Sequence, residues 1–164
     1  KYYMKEKQIR SDIIEASVKS FGVDNLNTIY KKALNLNNLI SKDIGQDIVS
    51  GYKRASNILN SELDKKNIQL SNTTDPGIFK NDFEKNLLKK INELRKYFLS
   101  INKDEDYRQS LNNLANAKGV IFEFFDNVKV NDDDQNIKKN RLELLQMLCK
   151  TFDNYISFSN IESN

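Results

Sequence analysis

Apolar residues recur at steps of three and four along most of this chain, and the stretches between these runs are polar. That period predicts helices. Ile14, Val18 and Phe21 share one face of a helix that Ser11 or Asp12 can cap and Gly22 can end. A cap at Asp24 or Asn25 opens a second stripe of Leu26, Ile29, Ala33, Leu36 and Ile40. From about Asp43 a longer one follows: Ile44, Ile48, Tyr52, Ala55, Leu59 and Leu63. A helix over 81–101 has Leu87, Leu88, Ile91, Leu94, Phe98 and Ile101 on one side. Asp82 and Glu84 near its start, with Arg95 and Lys96 near its end, suit the helix dipole.

The helix over 104–117 turns Tyr107, Leu111 and Leu114 inward until Lys118-Gly119 interrupts it. VIFEFFDNV reads as a short apolar turn with a weak strand tendency, and KVNDDD as a polar loop. The last helix, over 134–157, buries Ile137, Leu144, Leu145, Leu148, Phe152 and Tyr155. Periodicity stops over 66–79, where NTTDPG carries the only Pro. Apolar faces on both flanking helices make this loop a connection inside one bundle. The fold class is all-α, an antiparallel helical bundle of five to seven helices. Residues 1–22 read as a linker or the final helix of a preceding helical domain, and 23–164 as the bundle. KYYMKEK opens inside a running helix, so the chain reads as a piece of a larger protein.

Composition narrows the function by exclusion. The chain has no His, which removes the usual general base, the Ser-His-Asp and Cys-His arrangements and His-ligated metal sites. Its five Gly are too scattered for a phosphate loop. No nucleophile–base pair or metal set stands out, so no catalytic residue and no metal ligand is assigned. Cys149 allows no internal disulfide and fits a reducing compartment; among Leu144, Leu145, Leu148 and Phe152 it reads as a small buried hydrophobe. No run approaches the roughly 20 apolar residues of a membrane span. A net charge of +3 does not by itself point to nucleic acid. The Lys and Asn excess reads as codon bias of an AT-rich genome.

Two segments remain as carriers of function. In GYKRASNIL, Lys53, Arg54 and Asn57 fall opposite the apolar stripe. They form either a solvated face or a clamp for a phosphate or base edge. In the second, Phe124 and Phe125 are adjacent: both are buried where the chain turns, or one is free to stack on a base. Asp132, Asp133 and Asp134 are contiguous, which suits N-capping better than a metal loop. Lys138, Lys139, Asn140 and Arg141 then put cations in the first turns of the last helix, against the dipole, a misfit that marks function unless Asp134 and Glu143 pair with them.

Taken in order, YKRASNIL and then FFDNVKV, an acidic stretch and NRLELLQMLCKTF resemble the C-terminal anticodon-binding domain of the bacterial glycyl-tRNA synthetase beta subunit. That domain is helical and similar to the one in arginyl-tRNA synthetase. Val120 and Phe122 stand where the family often has Pro and Asp, leaving Gly119 to make the kink, and Lys129 stands where Met is common. The resemblance implies recognition of the anticodon stem and loop of glycine tRNA. Lys53, Arg54, Lys129, Lys139 and Arg141 become candidates for phosphate or base contacts. Asn57, Asn127 and Asn140 become candidates for base edges or loop support, and Asp126 for a cytosine amino group or a helix cap. The resemblance further implies a cytoplasmic parent, a glycine–tRNA ligase with an alpha subunit in an α2β2 assembly. That parent would use ATP and Mg, with no cofactor in this segment and neither membrane nor DNA as partner. The alternative is a helical scaffold for another protein. A basic track through Lys53, Arg54 and Arg141 would favour RNA, and a broad apolar patch a protein.

Overall fold

The computed structural model describes residues 2–21, 26–66, 68–101 and 107–162. Among them every regular element is helical. A single turn, α1 (Tyr2–Glu6), precedes seven longer helices: α2 (Ser11–Phe21), α3 (Leu26–Ile40), α4 (Asp43–Lys66), α5 (Asp82–Ser100), α6 (Tyr107–Ala115), α7 (Lys118–Asn127) and α8 (Gln135–Phe152). Two 3-10 turns, Pro76–Ile78 and Phe158–Asn160, complete the order. Expectations placed on Lys1, Gly22, Asp24, Asn25 and Asp104, and on the Phe21 side chain, lie outside the described residues. No described helix is long and apolar enough to cross a membrane.

The axis is α8. Twelve of its 18 residues are buried, so most of its circumference is covered and a narrow line through Asn136, Lys139 and Lys150 is left exposed. α4 runs antiparallel to it: Lys138 at the start of α8 pairs with Glu62 near the end of α4, and Tyr52 donates to Asp153 at 3.2 Å beyond the other end. α5 runs with α8. Their starts meet at Glu84 and Arg141, and their ends share a cavity lined by Phe98, Met147 and Thr151. α7 returns toward the start of α8, where Arg141 takes the Lys129 carbonyl at 2.8 Å. One end of the bundle therefore gathers the end of α4, residues 68–81, the start of α5, the 128–134 loop and the start of α8.

Local sequence accounts for most boundaries. Asn81 caps α5 by accepting the Glu84 N–H at 3.1 Å, and Glu84 accepts the Asn81 N–H in return, a capping box. The α3–α4 corner admits only glycine at Gly45, because a Cβ there would meet the Leu39 carbonyl oxygen at 2.3 Å. The 68–81 connection is pinned to α8, as expected of a loop inside one bundle. Glu143 accepts the backbone N–H groups of Ser71 and Asn72, each at 2.6 Å, and Asn140 brackets Asp75 by accepting its N–H and donating to its carbonyl. Asn72 sits there at φ 62°, a left-handed conformation that Asn tolerates.

Several expected details differ. Leu26 and Ile44 are 60% and 49% exposed, because they occupy the first turns of α3 and α4, beyond the reach of the packed neighbours. VIFEFF is neither turn nor strand but the body of α7, with Ile121, Phe124 and Phe125 facing inward at helical spacing. The chain breaks at Asn116-Ala117, and Gly119 lies inside α7 with open space around it. α8 stops at Phe152, where Asp153 accepts the Phe158 N–H at 3.0 Å and folds the tail back. Tyr155 is buried as expected, but from that turn.

The N-terminal segment packs on the same body. Ile13, Ile14 and Ala16 of α2 are buried, and α2 lies against α3 and the Phe158–Asn160 turn. Asp12 accepts from the Arg10 guanidinium and from the Glu162 N–H at 2.8 Å, joining the two ends of the chain. Lys32 of α3 donates to the Tyr155 carbonyl while Tyr155 donates to the Lys32 carbonyl, both at 3.0 Å. Burial there brings the Lys32 ammonium down to about 8.

Candidate nucleic-acid interface

The polar face of α4 is built by subtraction. Ile48, Tyr52, Ala55 and Leu59 enter the core. Gln46, Ser50, Lys53, Arg54 and Asn57 are left toward solvent, lining a hollow of about 540 Å3. Lys53 is half-buried, whereas Arg54 and Asn57 are exposed. Arg54 is held in place by α7. Its guanidinium lies 4.5 Å from the centre of the Phe125 ring, donates to the Phe125 carbonyl at 3.4 Å and stands 3.9 Å from Asp126. A cation over an aromatic face at an exposed site contributes about 0.5–1 kcal/mol, enough to bias the side chain without locking it.

Across from it, the 128–134 loop closes a second groove of about 450 Å3, with Arg54, Asn57 and Ser61 on one wall and Lys129 and Asn131 on the other. The two segments singled out in the sequence therefore meet in space. Phe124 and Phe125 are both buried, stacked edge to face at 5.5 Å, so neither is free for a base. Asp126 is exposed beside Arg54. Asn127 is exposed, and its amide donates to the Glu123 carbonyl at 2.9 Å. Lys129 is exposed and stands 3.9 Å from Asp133. Sequence reading missed Asn131 and Ser61. Ser61 was detectable as the continuation of the polar stripe Gln46, Ser50, Lys53, Asn57, and Asn131 only as a member of the polar loop.

The basic start of α8 divides. Lys139 is exposed, in a separate cavity of about 430 Å3 beside Asp75, Ile78 and Asn136. Asn140 and Arg141 are 6% and 4% exposed. Arg141 donates to Glu84 at 2.7 Å, to the Lys129 carbonyl and to Asp132 at 2.8 Å. Asn140 holds the 68–81 connection. Their positions are interior, so no basic track runs from Lys53 and Arg54 through Arg141. The apparent dipole misfit is answered by buried ion pairs. Lys138 meets Glu62 and Arg141 meets Glu84, whereas the expected partners do other work: Asp134 caps α8 and Glu143 holds the loop.

The aspartate run has a structural use in two of its three members. Asp134 accepts the Asn136 and Ile137 N–H groups as the N-cap of α8, the role also considered for Asp126. Asp132 accepts the Asp134 N–H at 3.0 Å and the Arg141 guanidinium. Those two contacts, the backbone one first, hold its carboxyl below the usual range. Cys149 is buried as expected, and its thiol is pushed up to about 12 by burial and the nearby Asp153 carboxylate.

Comparison with known proteins places this arrangement. The glycine–tRNA ligase beta subunit of Rickettsia prowazekii (strain Madrid E) is 34% identical over 123 residues, covering 75% of this chain and 18% of that protein. That of Rickettsia bellii (strain OSU 85-389) is 36% identical over 137 residues, or 84% and 19%. That of Ruegeria sp. (strain TM1040) is 26% identical over 162 residues, or 99% and 24%. The chain thus spans about a fifth of the length of these relatives. Residues 48–163, from the second turn of α4 to the tail, match the family described as DALR anticodon binding domain. On a match of that extent, the chain belongs to the DALR anticodon-binding domain family.

Proposed function

We propose that this domain grips the anticodon stem and loop of a glycine tRNA as part of a glycine–tRNA ligase beta subunit. The observation that carries the reading is the meeting of Arg54 and Asn57 on α4 with Lys129 and Asn131 on the 128–134 loop around one groove. Loop bases of an RNA are unstacked and can be read on their edges, which suits a groove with apolar walls at Ile58, Val128 and Val130 and polar groups at its rim. Arg54 offers two parallel N–H groups to a phosphate or base edge, held roughly in orientation by Phe125. In this reading Asn57 and Asn127 meet base edges, and Asp126 accepts from a cytosine amino group. Lys53, Lys129 and Lys139 supply phosphate contacts. Asn140 and Arg141 serve the same end indirectly, by fixing the loops that carry the contacts.

In this reading the domain performs recognition and no bond chemistry, and it needs no cofactor. Aminoacylation with ATP and Mg belongs to the rest of a cytoplasmic assembly that includes an alpha subunit. The test is binding of the full-length protein to a glycine tRNA, and to the same tRNA with a replaced anticodon, across a salt series. Tighter, salt-sensitive binding to the native anticodon, lost in Arg54→Ala, supports the reading. Equal binding to both tRNAs, or none, refutes it and leaves the scaffold alternative.

A further inference from the structure

The outer face of α5 carries Lys85, Lys89, Asn92 and Lys96 at steps of four, three and four, which places them in one line. The line is about 16 Å long at the helical rise. Beside it runs a groove of about 520 Å3 whose apolar lining is Pro76, Phe79 and Leu88. Lys85 meets Asp82 at 3.0 Å, an exposed pair of little strength. Lys89 and Lys96 have no ion-pair partner among the described residues. The one carboxylate lining the groove, Glu93, pairs with Lys90 at 2.8 Å and attracts Lys89 more weakly.

The α4 groove differs in charge. Arg54 faces Asp126 and Lys129 faces Asp133, each at 3.9 Å, so its cations are partly compensated. The α5 groove is the less compensated of the two. An aligned row of exposed ammonium groups, met among the described residues only by the Asp82 and Glu93 carboxylates, beside an apolar groove complements a strand with regular phosphates and stackable bases. It offers no fixed, buried donor pattern to tell one base from another. Lys139, one of the phosphate contacts proposed above, stands beside the α5 groove. The Lys139 cavity is bounded by Asp75 and Ile78, and the α5 groove begins at Pro76 in the same turn.

We infer that the α5 groove is a second RNA contact, taking a further single-stranded stretch of the bound RNA by its backbone, without reading its sequence. This rests on the RNA-binding reading above but assigns a different face. Phosphates lie along Lys85, Lys89 and Lys96, and a base rests on Phe79.

The experiment compares the full-length protein with its Lys89→Glu/Lys96→Glu and Arg54→Ala variants. Each is titrated with a glycine tRNA transcript and with its anticodon-replaced form across a salt series. Circular dichroism and the unfolding midpoint establish that every variant is folded. The lysine reversal is expected to weaken both transcripts at least tenfold and equally, and to reduce the salt slope by about 1.5 for two phosphate contacts. Preference for the native anticodon is expected to persist. A Lys89→Arg/Lys96→Arg control is expected to keep wild-type affinity. If the reversal leaves affinity and slope unchanged while Arg54→Ala still abolishes the preference, the second contact is wrong and the anticodon reading stands. The second contact is equally wrong if the reversal alters only assembly with other subunits, or removes the anticodon preference alone. If the folded wild type binds neither transcript, both readings fall.

Discussion

Two short basic stretches, Lys53 to Asn57 on α4 and Lys138 to Arg141 on α8, look alike in sequence: two or three cations and an Asn within about a helical turn. Their fates are opposite. On α4 the apolar stripe takes one side into the core and leaves Arg54 outside, its side chain 47% exposed. On α8 only Lys139 reaches solvent at that level, while Lys138 and Arg141 are interior residues. A buried cation is tolerated only when a carboxylate and further hydrogen bonds meet it. Glu62 and Glu84 supply the carboxylates from α4 and α5. A basic cluster therefore signals a binding face on a peripheral helix and architecture on a central one. The spacing of the apolar residues around it decides which.

The sharpest way to break this comparison is Arg141→Ala. It leaves the Glu84 carboxylate, 1% exposed, without its cation and frees Asp132 and the Lys129 carbonyl. Breaking a buried pair from one side costs about 3–5 kcal/mol, so a large drop in the urea midpoint is expected. An unchanged midpoint would show that Arg141 is not structural after all. Glu143→Ala comes next. It removes the acceptor for the Ser71 and Asn72 N–H groups and for the Ser71 hydroxyl. The expected loss is about 1–3 kcal/mol, with new protease cleavage between 71 and 75 as the direct readout. If cleavage stays at the wild-type rate, the loop is held by other contacts.

Further along the buried stripe of α8, Cys149 gives a pH-dependent effect. Its thiol is raised from 9.0 to about 12 in the folded chain by burial first and Asp153 second. A thiol held protonated by folding adds stability that is complete below pH 9 and is lost as pH rises from 9 toward 12. The advantage of the wild type over Cys149→Ala is thus expected to shrink above pH 9, by on the order of 1 kcal/mol per pH unit. Tyr52 is raised as well, by burial first and then by the Asp153 and Cys149 charges, so reading the profile in a Tyr52→Phe background isolates the thiol. A constant difference from pH 8 to 10.5 would mean that the thiol ionises equally well in the folded chain.

Much of the fold was legible because its signals are local. The α5 stripe of Leu87, Ile91 and Leu94 and the caps at Asn81 and Asp134 are visible within a few residues of themselves. α7 was not legible as a helix, since a short apolar run gives no period that separates helix from strand, and packing of Ile121, Phe124 and Phe125 decides it. The candidate site was half legible. The α4 side follows from the polar positions opposite its stripe, and the pairing of Lys53-Arg54 with FFDNVKV came from the family resemblance. Arg141 and Asn140 were misplaced because the partners that bury them, Glu84 and Asp75, lie 57 and 65 residues away and leave no mark near α8. Glu84 carries two signals at once: it serves its own helix cap and the distant Arg141, and only the first shows in a local reading.

The smallest expected effect on stability sharpens the comparison most. Arg54→Ala removes a half-exposed side chain, a long hydrogen bond and a contact with the Phe125 ring. Those losses amount to about 0.5–1 kcal/mol, close to the scatter of surface substitutions. In RNA binding the order should reverse. Arg54→Ala is expected to lower affinity for a glycine tRNA about tenfold or more while its unfolding midpoint barely moves. In Arg141→Ala, any weakening should follow from the loosened 128–134 loop and be reduced where conditions restore the fold. Both substitutions delete one guanidinium from a helix in the same domain, so charge alone predicts equal effects on RNA. If the two variants weaken binding equally once their stabilities are matched, the division between a binding α4 and an architectural α8 does not hold.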